Sequence, residues 1–82
     1  MKVLFADDCE LQRRAMVAHL EQRGHEALAA SDGEEAWEIL QHSAVNLVIS
    51  DWAMPRMDGL ELCRKIRAAD LGRYVNVILC TA

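Results

Sequence analysis

The sequence lacks an excess of basic residues, a long hydrophobic run and any metal-ligand spacing among its cysteines. Nine Lys and Arg against thirteen Asp and Glu give a formal net charge of −4, which is not the electrostatic footprint of a nucleic-acid-binding protein. The first apolar stretch, Val3 to Ala6, ends at two aspartates and is too short for a signal peptide or a membrane span. We therefore expect a cytoplasmic protein that contacts neither nucleic acid nor membrane through this segment.

The cysteines also argue against a disulfide framework. Cys9, Cys63 and Cys80 are odd in number, and we interpret them as free thiols that act as small apolar side chains in a reducing compartment. Repeats, linkers and low-complexity stretches are missing, and 52% hydrophobic with 27% charged residues is typical of a folded globular chain. At 82 residues the sequence allows one small domain at most.

What the sequence does contain is a regular alternation of short apolar runs with helical patterns. Alternation of this kind favours parallel strands joined by right-handed helical crossovers, so the predicted fold class is α/β with three αβα layers. Strands one, three and four are the most apolar, with strand three buried on both faces, which predicts the flavodoxin-like order 2-1-3-4. The predicted strands are 2–6, 25–30, 47–51 and 75–80, and the predicted helices are 10–23, one opened by residues 31–34 and one ending near 69.

Capping signals mark the helix ends. Gly24 stands where the first helix needs a left-handed C-terminal cap. The segment from Ser31 to Glu34 matches the capping-box pattern and opens the second helix. Asp58 is the predicted N-terminal cap of the third helix. These signals agree with the strand and helix boundaries expected from the hydrophobic pattern.

Carboxylates stand at the carboxyl ends of two predicted neighbouring strands. Asp7 and Asp8 close strand one, and Asp51 closes strand three, so all three meet at the switch point of the predicted sheet, where ligands of such folds bind. Like charges held together need compensation, and hard oxygen ligands suit Mg²⁺. The alternative is that Asp7 is a helix cap and Asp51 a turn residue.

Beside Mg²⁺, a carboxylate such as Asp51 can attack a phosphoryl group and form an aspartyl phosphate. Thr81 ends strand four, next to strand three, where its hydroxyl could donate to a phosphoryl oxygen. The alternative for Thr81 is an ordinary threonine in a strand, where this residue type is favoured.

Several segments carry a family pattern in their joint spacing. They are Asp7-Asp8, the helix from Arg13-Arg14 to Gly24, SDGEEA from Ser31, DWAMPRMDGLEL from Asp51, and Thr81-Ala82. In these segments the chain resembles the receiver domain of two-component response regulators, and its centre is similar to the single-domain chemotaxis regulators. The resemblance implies a phosphorelay protein that is not an enzyme, although such a protein can slowly remove its own phosphoryl group.

The resemblance also implies a role for each matching residue. Asp51 is the implied phosphoacceptor, charged by a sensor histidine kinase or a phosphotransfer protein. Asp8 is the implied direct Mg²⁺ ligand, Asp7 a ligand mainly through water, and the carbonyl of Ala53 a further ligand. Thr81 is the implied switch hydroxyl that passes the change to an output domain or partner. The methyl group of Ala53 gives its side chain no hydrogen bond with which to control phosphoryl loss.

Receivers continue with a fourth helix, a fifth strand and a fifth helix, so the resemblance predicts a receiver domain over 1–82 that is truncated after strand four. It therefore lacks the family lysine and the aromatic switch residue, and its fourth strand becomes an open edge that could join two copies in a dimer. Residues 66–82 weakly resemble receivers with diguanylate cyclase or phosphatase outputs.

Two alternative functions stay open. One is a Mg²⁺-dependent phosphatase with Asp51 as its nucleophile, although such enzymes usually carry a second acid where this chain has Ala53. The other is an interaction module that works without phosphorylation, for which the missing lysine argues.

Overall fold

Four strands and three helices alternate strictly along the chain in the computed structural model, which describes residues 1–80. All neighbouring strands pair in parallel, in the order β2-β1-β3-β4. The predicted α/β class and flavodoxin-like order are therefore confirmed. The elements are β1 (Lys2–Ala6), α1 (Glu10–Gln22), β2 (Glu26–Ala30), α2 (Gly33–His42), β3 (Leu47–Asp51), α3 (Gly59–Ala68) and β4 (Asn76–Cys80).

The layers follow from the direction in which each connection crosses the sheet. From β1 the chain moves outward to β2 and then returns past β1 to β3 and β4. Because parallel crossovers are right-handed, α1 lies on one face of the sheet and α2 and α3 lie on the other. The main core lies between the sheet and the helices α2 and α3, and its buried side chains come from the strands, from both helices and from the connections between them. Its members include Leu4, Ala6, Ala36, Leu40, Val48, Leu62 and Ile66.

The opposite face of the sheet is covered unevenly. Val3 and Phe5 of β1 are buried there, together with Leu20 of α1. Leu47 and Ile49 are only half-buried, and Ile78 is 49% exposed. The predictions that β3 is buried on both faces and that β4 is among the most buried strands are therefore wrong, because α1 packs mainly on β2 and β1.

The capping prediction is confirmed at the end of α1 and is wrong by one residue at the start of α2. Gly24 has a φ of +85° and follows α1 as predicted. The cap of α2 is one residue later than the pattern indicated, since Asp32 accepts the main-chain N–H of Glu35 at 2.8 Å. Glu35 in turn accepts the main-chain N–H and the hydroxyl of Ser31 at 2.6 and 3.0 Å. Asp32 and Glu35 therefore take the place of the predicted pair Ser31 and Glu34, and the side chain of Glu35 reaches back to the N–H of Ser31, the residue before the cap.

Leu11, Ala15, Met16 and Leu20 recur at helical spacing, which predicts one inward face for α1, but this prediction is wrong for the first half of the helix. Leu11 is 75% exposed and Ala15 is exposed, whereas Met16 and Val17 are half-buried. Only the second half of α1 therefore packs closely on the sheet. None of the helices within residues 1–80 is long and apolar enough to cross a membrane.

Arg73 lies in the connection between α3 and β4 and bonds to the connection between α2 and β3. Its guanidinium donates to the carbonyls of Leu40 and Ser43 at 3.0 and 2.7 Å, at the C-terminal end of α2. It also donates to the carbonyls of Val45 and Leu71 at 2.8 and 3.2 Å. Carbonyls at a helix C-terminus have no partner within the helix, so Arg73 acts as their cap from a distant part of the chain.

Candidate functional site

The three predicted acids meet at one edge of the sheet. Asp7, Asp8 and Asp51 each offer a carboxylate oxygen, and these oxygens all lie within 4.8 Å of one another. The cause is the parallel register of β1 and β3, in which Ala6 is paired with Ser50, so the residues that follow in each strand lie side by side. Asp7 and Asp51 are half-buried and Asp8 is exposed.

Main-chain groups fix the orientation of two of these carboxylates. Oδ1 of Asp7 accepts the N–H of Cys9 at 2.9 Å, and Oδ1 of Asp51 accepts the N–H of Trp52 at 2.9 Å. The N-cap residue of α1 is Cys9, so the alternative interpretation of Asp7 as the helix cap is wrong. Arg13 donates to the main-chain carbonyl of Asp7 at 2.8 Å and so ties the end of β1 to α1.

The electrostatics of the cluster favour a cation. Two unit charges about 4 Å apart repel by roughly 1 kcal/mol in water and by about 4 kcal/mol at the effective dielectric constant of a protein surface. No salt bridge within residues 1–80 involves the three carboxylates. A set of hard oxygen donors, partly open to water, is the environment in which Mg²⁺ binds while it keeps several waters. The donor set therefore fits Mg²⁺.

The loop that follows β3 is closed tightly onto the end of that strand. The N–H of Gly59 donates to the carbonyl of Trp52 at 2.8 Å, and a Cβ at position 59 would overlap the carbonyl oxygen of Asp51. Asp58 caps α3 as predicted, because its Oδ1 accepts the N–H of Glu61 at 2.8 Å. Ala53 lies exposed within this loop. Thr81, the last predicted site residue, lies outside the described residues.

The sequence did not predict the ion pair that holds this loop from its other side. Arg56 donates from Nε and Nη2 to Oδ2 of Asp32, at 2.8 and 2.6 Å. Asp32 is buried, with 5% of its side chain exposed. The N–H of Glu35, followed by the hydrogen bond and charge of Arg56, lowers the pKa of Asp32 although burial opposes this. The two residues are 24 positions apart, and no local pattern links them.

Comparison with known proteins then identifies the family. The family model described as the response regulator receiver domain matches residues 3–82. The chain belongs to the response regulator receiver domain family. Receiver domains take phosphoryl groups from histidine kinases and act on output domains, they generally bind Mg²⁺, and they are signalling proteins rather than classical enzymes. The family expectation drawn from the sequence motifs is thereby confirmed.

Individual relatives agree with this assignment. A chemotaxis protein CheY homolog of Campylobacter jejuni is 40% identical over 83 residues, which is 99% of this chain and 64% of that protein. The chain thus spans less than two thirds of the length of that relative. A response regulator receiver protein of Pseudomonas putida has the same fold with a TM-score of 0.90 and 33% identity, over 98% of this chain and 66% of that one.

A third relative was crystallised with ligands. The response regulator protein TrrA of Thermotoga maritima, in complex with Mg(2+)-BeF, matches with a TM-score of 0.89 and 33% identity. The match covers 99% of this chain and 69% of that one.

Proposed function

We propose that Asp51 accepts a phosphoryl group from a histidine kinase or phosphotransfer protein in a Mg²⁺-dependent reaction, and that the modified receiver controls an output domain or partner. The observation that carries this proposal is the meeting of three carboxylates within 4.8 Å at the carboxyl end of β1 and β3. Residues 1–82 then correspond to the receiver as far as its fourth strand. A cytoplasmic location goes with this function.

Each residue of the cluster has a different part in the proposed reaction. A carboxylate oxygen of Asp51 attacks the phosphorus atom, the bond from phosphorus to the donor's imidazole nitrogen breaks, and the imidazole leaves as a neutral group once it has taken a proton. Asp8 would hold Mg²⁺ directly and Asp7 mainly through water, and a carboxylate oxygen of Asp51 and the carbonyl of Ala53 would be further ligands. When bound, Mg²⁺ supplies neutralisation of charge on the transferring oxygens.

Main-chain contacts support the choice of Asp51 as nucleophile. The N–H of Trp52, which also donates to the carbonyl of Cys80 at 3.0 Å, contacts one oxygen of Asp51, and the close approach of Gly59 to the Asp51 carbonyl restricts the backbone. A reacting group held in one orientation loses little freedom on reaction. Thr81 is the proposed switch hydroxyl that responds to the phosphoryl group. The methyl side chain of Ala53 offers no hydrogen bond that would hold or hasten an attacking water, so this side chain exerts no specific control over the rate of phosphoryl loss.

A phosphodonor assay separates this function from its alternatives. With a small-molecule phosphodonor and Mg²⁺, the proposed receiver accumulates up to one acyl phosphate per chain, and chelation of Mg²⁺ prevents this. A phosphatase that uses Asp51 would release phosphate over many turnovers without accumulating the label. An interaction module that works without phosphorylation would do neither.

The outer strand β4 is the proposed surface for pairing two copies of the chain. Within residues 1–80, β4 has a neighbour on one side only, and Ile78 on it is 49% exposed. Open apolar strand edges pair readily with other chains. Sedimentation and near-ultraviolet circular dichroism of residues 1–82 at low micromolar concentration should show either a dimer or a loosely packed monomer, and a well-packed, strictly monomeric species would contradict the reasoning from the open edge.

A further inference from the structure

In the loop between β3 and α3, a single side chain, that of Arg56, connects the loop to the start of the distant helix α2. Arg56 lies in this loop with a φ of +67°, a left-handed conformation that side chains other than those of Gly, Asn and Asp rarely adopt. An arginine has no backbone reason to stand here. Its side chain must therefore contribute something that a glycine would not.

Nε and Nη2 of Arg56 both donate to Oδ2 of Asp32. Asp32 is buried and its other oxygen accepts the N–H of Glu35, so both oxygens of this carboxylate are bonded within the protein. A buried carboxylate that loses its partner is strongly unfavourable. The planar fork of arginine suits this geometry, whereas the point charge of a lysine does not.

A main-chain contact beside this ion pair strengthens the connection. The N–H of Gly33 donates to the carbonyl of Met57 at 3.1 Å, and a Cβ on Gly33 would overlap that carbonyl. Two successive residues at the start of α2 thus hold two successive residues of the loop. At the other end, Gly59 is bonded to Trp52. The loop segment that carries Ala53 is held from both sides.

We propose that Arg56, through its ion pair with Asp32, is a positioning residue that holds the loop of residues 52–58 in the conformation that presents the Ala53 carbonyl to Mg²⁺. This inference rests on the proposed function, because it assigns Arg56 to the same site. Partners that orient a ligand are a regular part of metal sites, since they remove the cost of ordering that ligand on binding. The guanidinium acts through geometry, because its charge is already matched by Asp32.

The test follows Mg²⁺ binding through the fluorescence of Trp52 in the full chain with Trp37→Phe, which leaves one tryptophan. We expect Asp32→Asn and Arg56→Gly each to raise the Mg²⁺ dissociation constant about tenfold, the lower end of the effect of removing an orienting partner. Asparagine remains a good N-cap, and glycine suits the left-handed backbone. A loss of affinity in these variants therefore isolates the ion pair. Both changes break the same contact, so their effects should not add. The Mg²⁺ dissociation constant of the double variant should be no higher than that of the single variant with the lower affinity.

Two control variants and a measurement of amide hydrogen exchange without Mg²⁺ test the ion pair further. Glu34→Gln removes a carboxylate that is 3.7 Å from Arg56 and 63% exposed, and Arg73→Lys weakens the fold far from the loop; neither should change the dissociation constant. Without Mg²⁺, amide hydrogen exchange at Gly33 should be faster in Arg56→Gly than in the unmodified chain, because the loop carbonyl that it bonds is no longer held.

The outcomes separate this inference from the proposed function. If Mg²⁺ binds the parent chain but Asp32→Asn and Arg56→Gly bind it equally well, the positioning role is wrong and the proposed function stands. An equal loss of affinity in Arg73→Lys would show a general effect of stability and would also overturn the role. If the parent chain shows no saturable response to Mg²⁺, the proposed function is wrong and the positioning role is wrong with it.

Discussion

Replacing Arg73 should destabilise the domain more than any surface substitution. Its guanidinium donates to four carbonyls, of Leu40, Ser43, Val45 and Leu71. Lysine keeps the charge, but its compact ammonium cannot reach carbonyls that the fork contacts from different sides. If Arg73→Lys loses two of these bonds, and each bond to a charged group is worth about 1.5 kcal/mol at the lower end, the free energy of unfolding falls by about 3 kcal/mol.

A loss of this size is easy to measure in a small domain. Domains are stable by about 5 to 15 kcal/mol, and short chains lie near the lower end. Urea unfolding followed by tryptophan fluorescence should show a much lower midpoint for Arg73→Lys without Mg²⁺. Arg64→Lys, on the exposed side of α3, is the matched control and should change stability by less than about 0.5 kcal/mol. If Arg73→Lys and Arg64→Lys have the same urea midpoint, the contacts of Arg73 contribute nothing to stability and the reasoning is refuted.

Three further predictions concern the site and its surroundings. With Trp37→Phe in place, Mg²⁺ should change the fluorescence of Trp52 in a saturable way, and Asp8→Ala should abolish the change because it removes a direct ligand; an undiminished response would contradict the ligand assignment. The pKa of Asp32 is lowered from its ordinary 3.8, so its share of the stability is present above that value and is lost as pH falls through the folded pKa. Unfolding free energies measured across this acid range should therefore fall less steeply for Asp32→Asn than for the parent chain, and equal slopes would refute the linkage. Gly59→Ala should lower both stability and Mg²⁺ affinity, since its methyl group would overlap the last carbonyl of β3; unchanged urea and Mg²⁺ titrations would show that the loop has room for it.

The acidic cluster could be predicted because it depends on topology alone. Once β1 and β3 are parallel neighbours, the residues that follow them must meet, and Asp7, Asp8 and Asp51 do so. The cap of α2 was displaced by one residue because Ser31 and Asp32 are both good caps and a glutamate follows each at the required spacing. Local sequence does not distinguish the two registers.

Contacts between distant loops could not be predicted in this way. The ion pair of Asp32 and Arg56 joins segments with no hydrophobic period and no fixed spacing. The same is true of the three bonds that Arg73 makes to the distant carbonyls of Leu40, Ser43 and Val45. Hydropathy likewise marks β4 as apolar but does not say how many of its faces are covered, which explains why Ile78 is exposed. Such features depend on how the chain packs, and only the three-dimensional structure reveals them.

The most direct test of the central claim is to locate the phosphoryl group. The full-length protein and its Asp51→Asn variant are incubated with a phosphodonor and Mg²⁺, and the label is mapped by mass spectrometry of peptides. The amide is nearly isosteric but is not a comparable nucleophile, so the variant should keep its fold and take up no label, while the parent chain carries a base-labile phosphoryl group on Asp51. If Asp51→Asn took up a base-labile label at the yield of the parent protein, Asp51 would not be the phosphoacceptor.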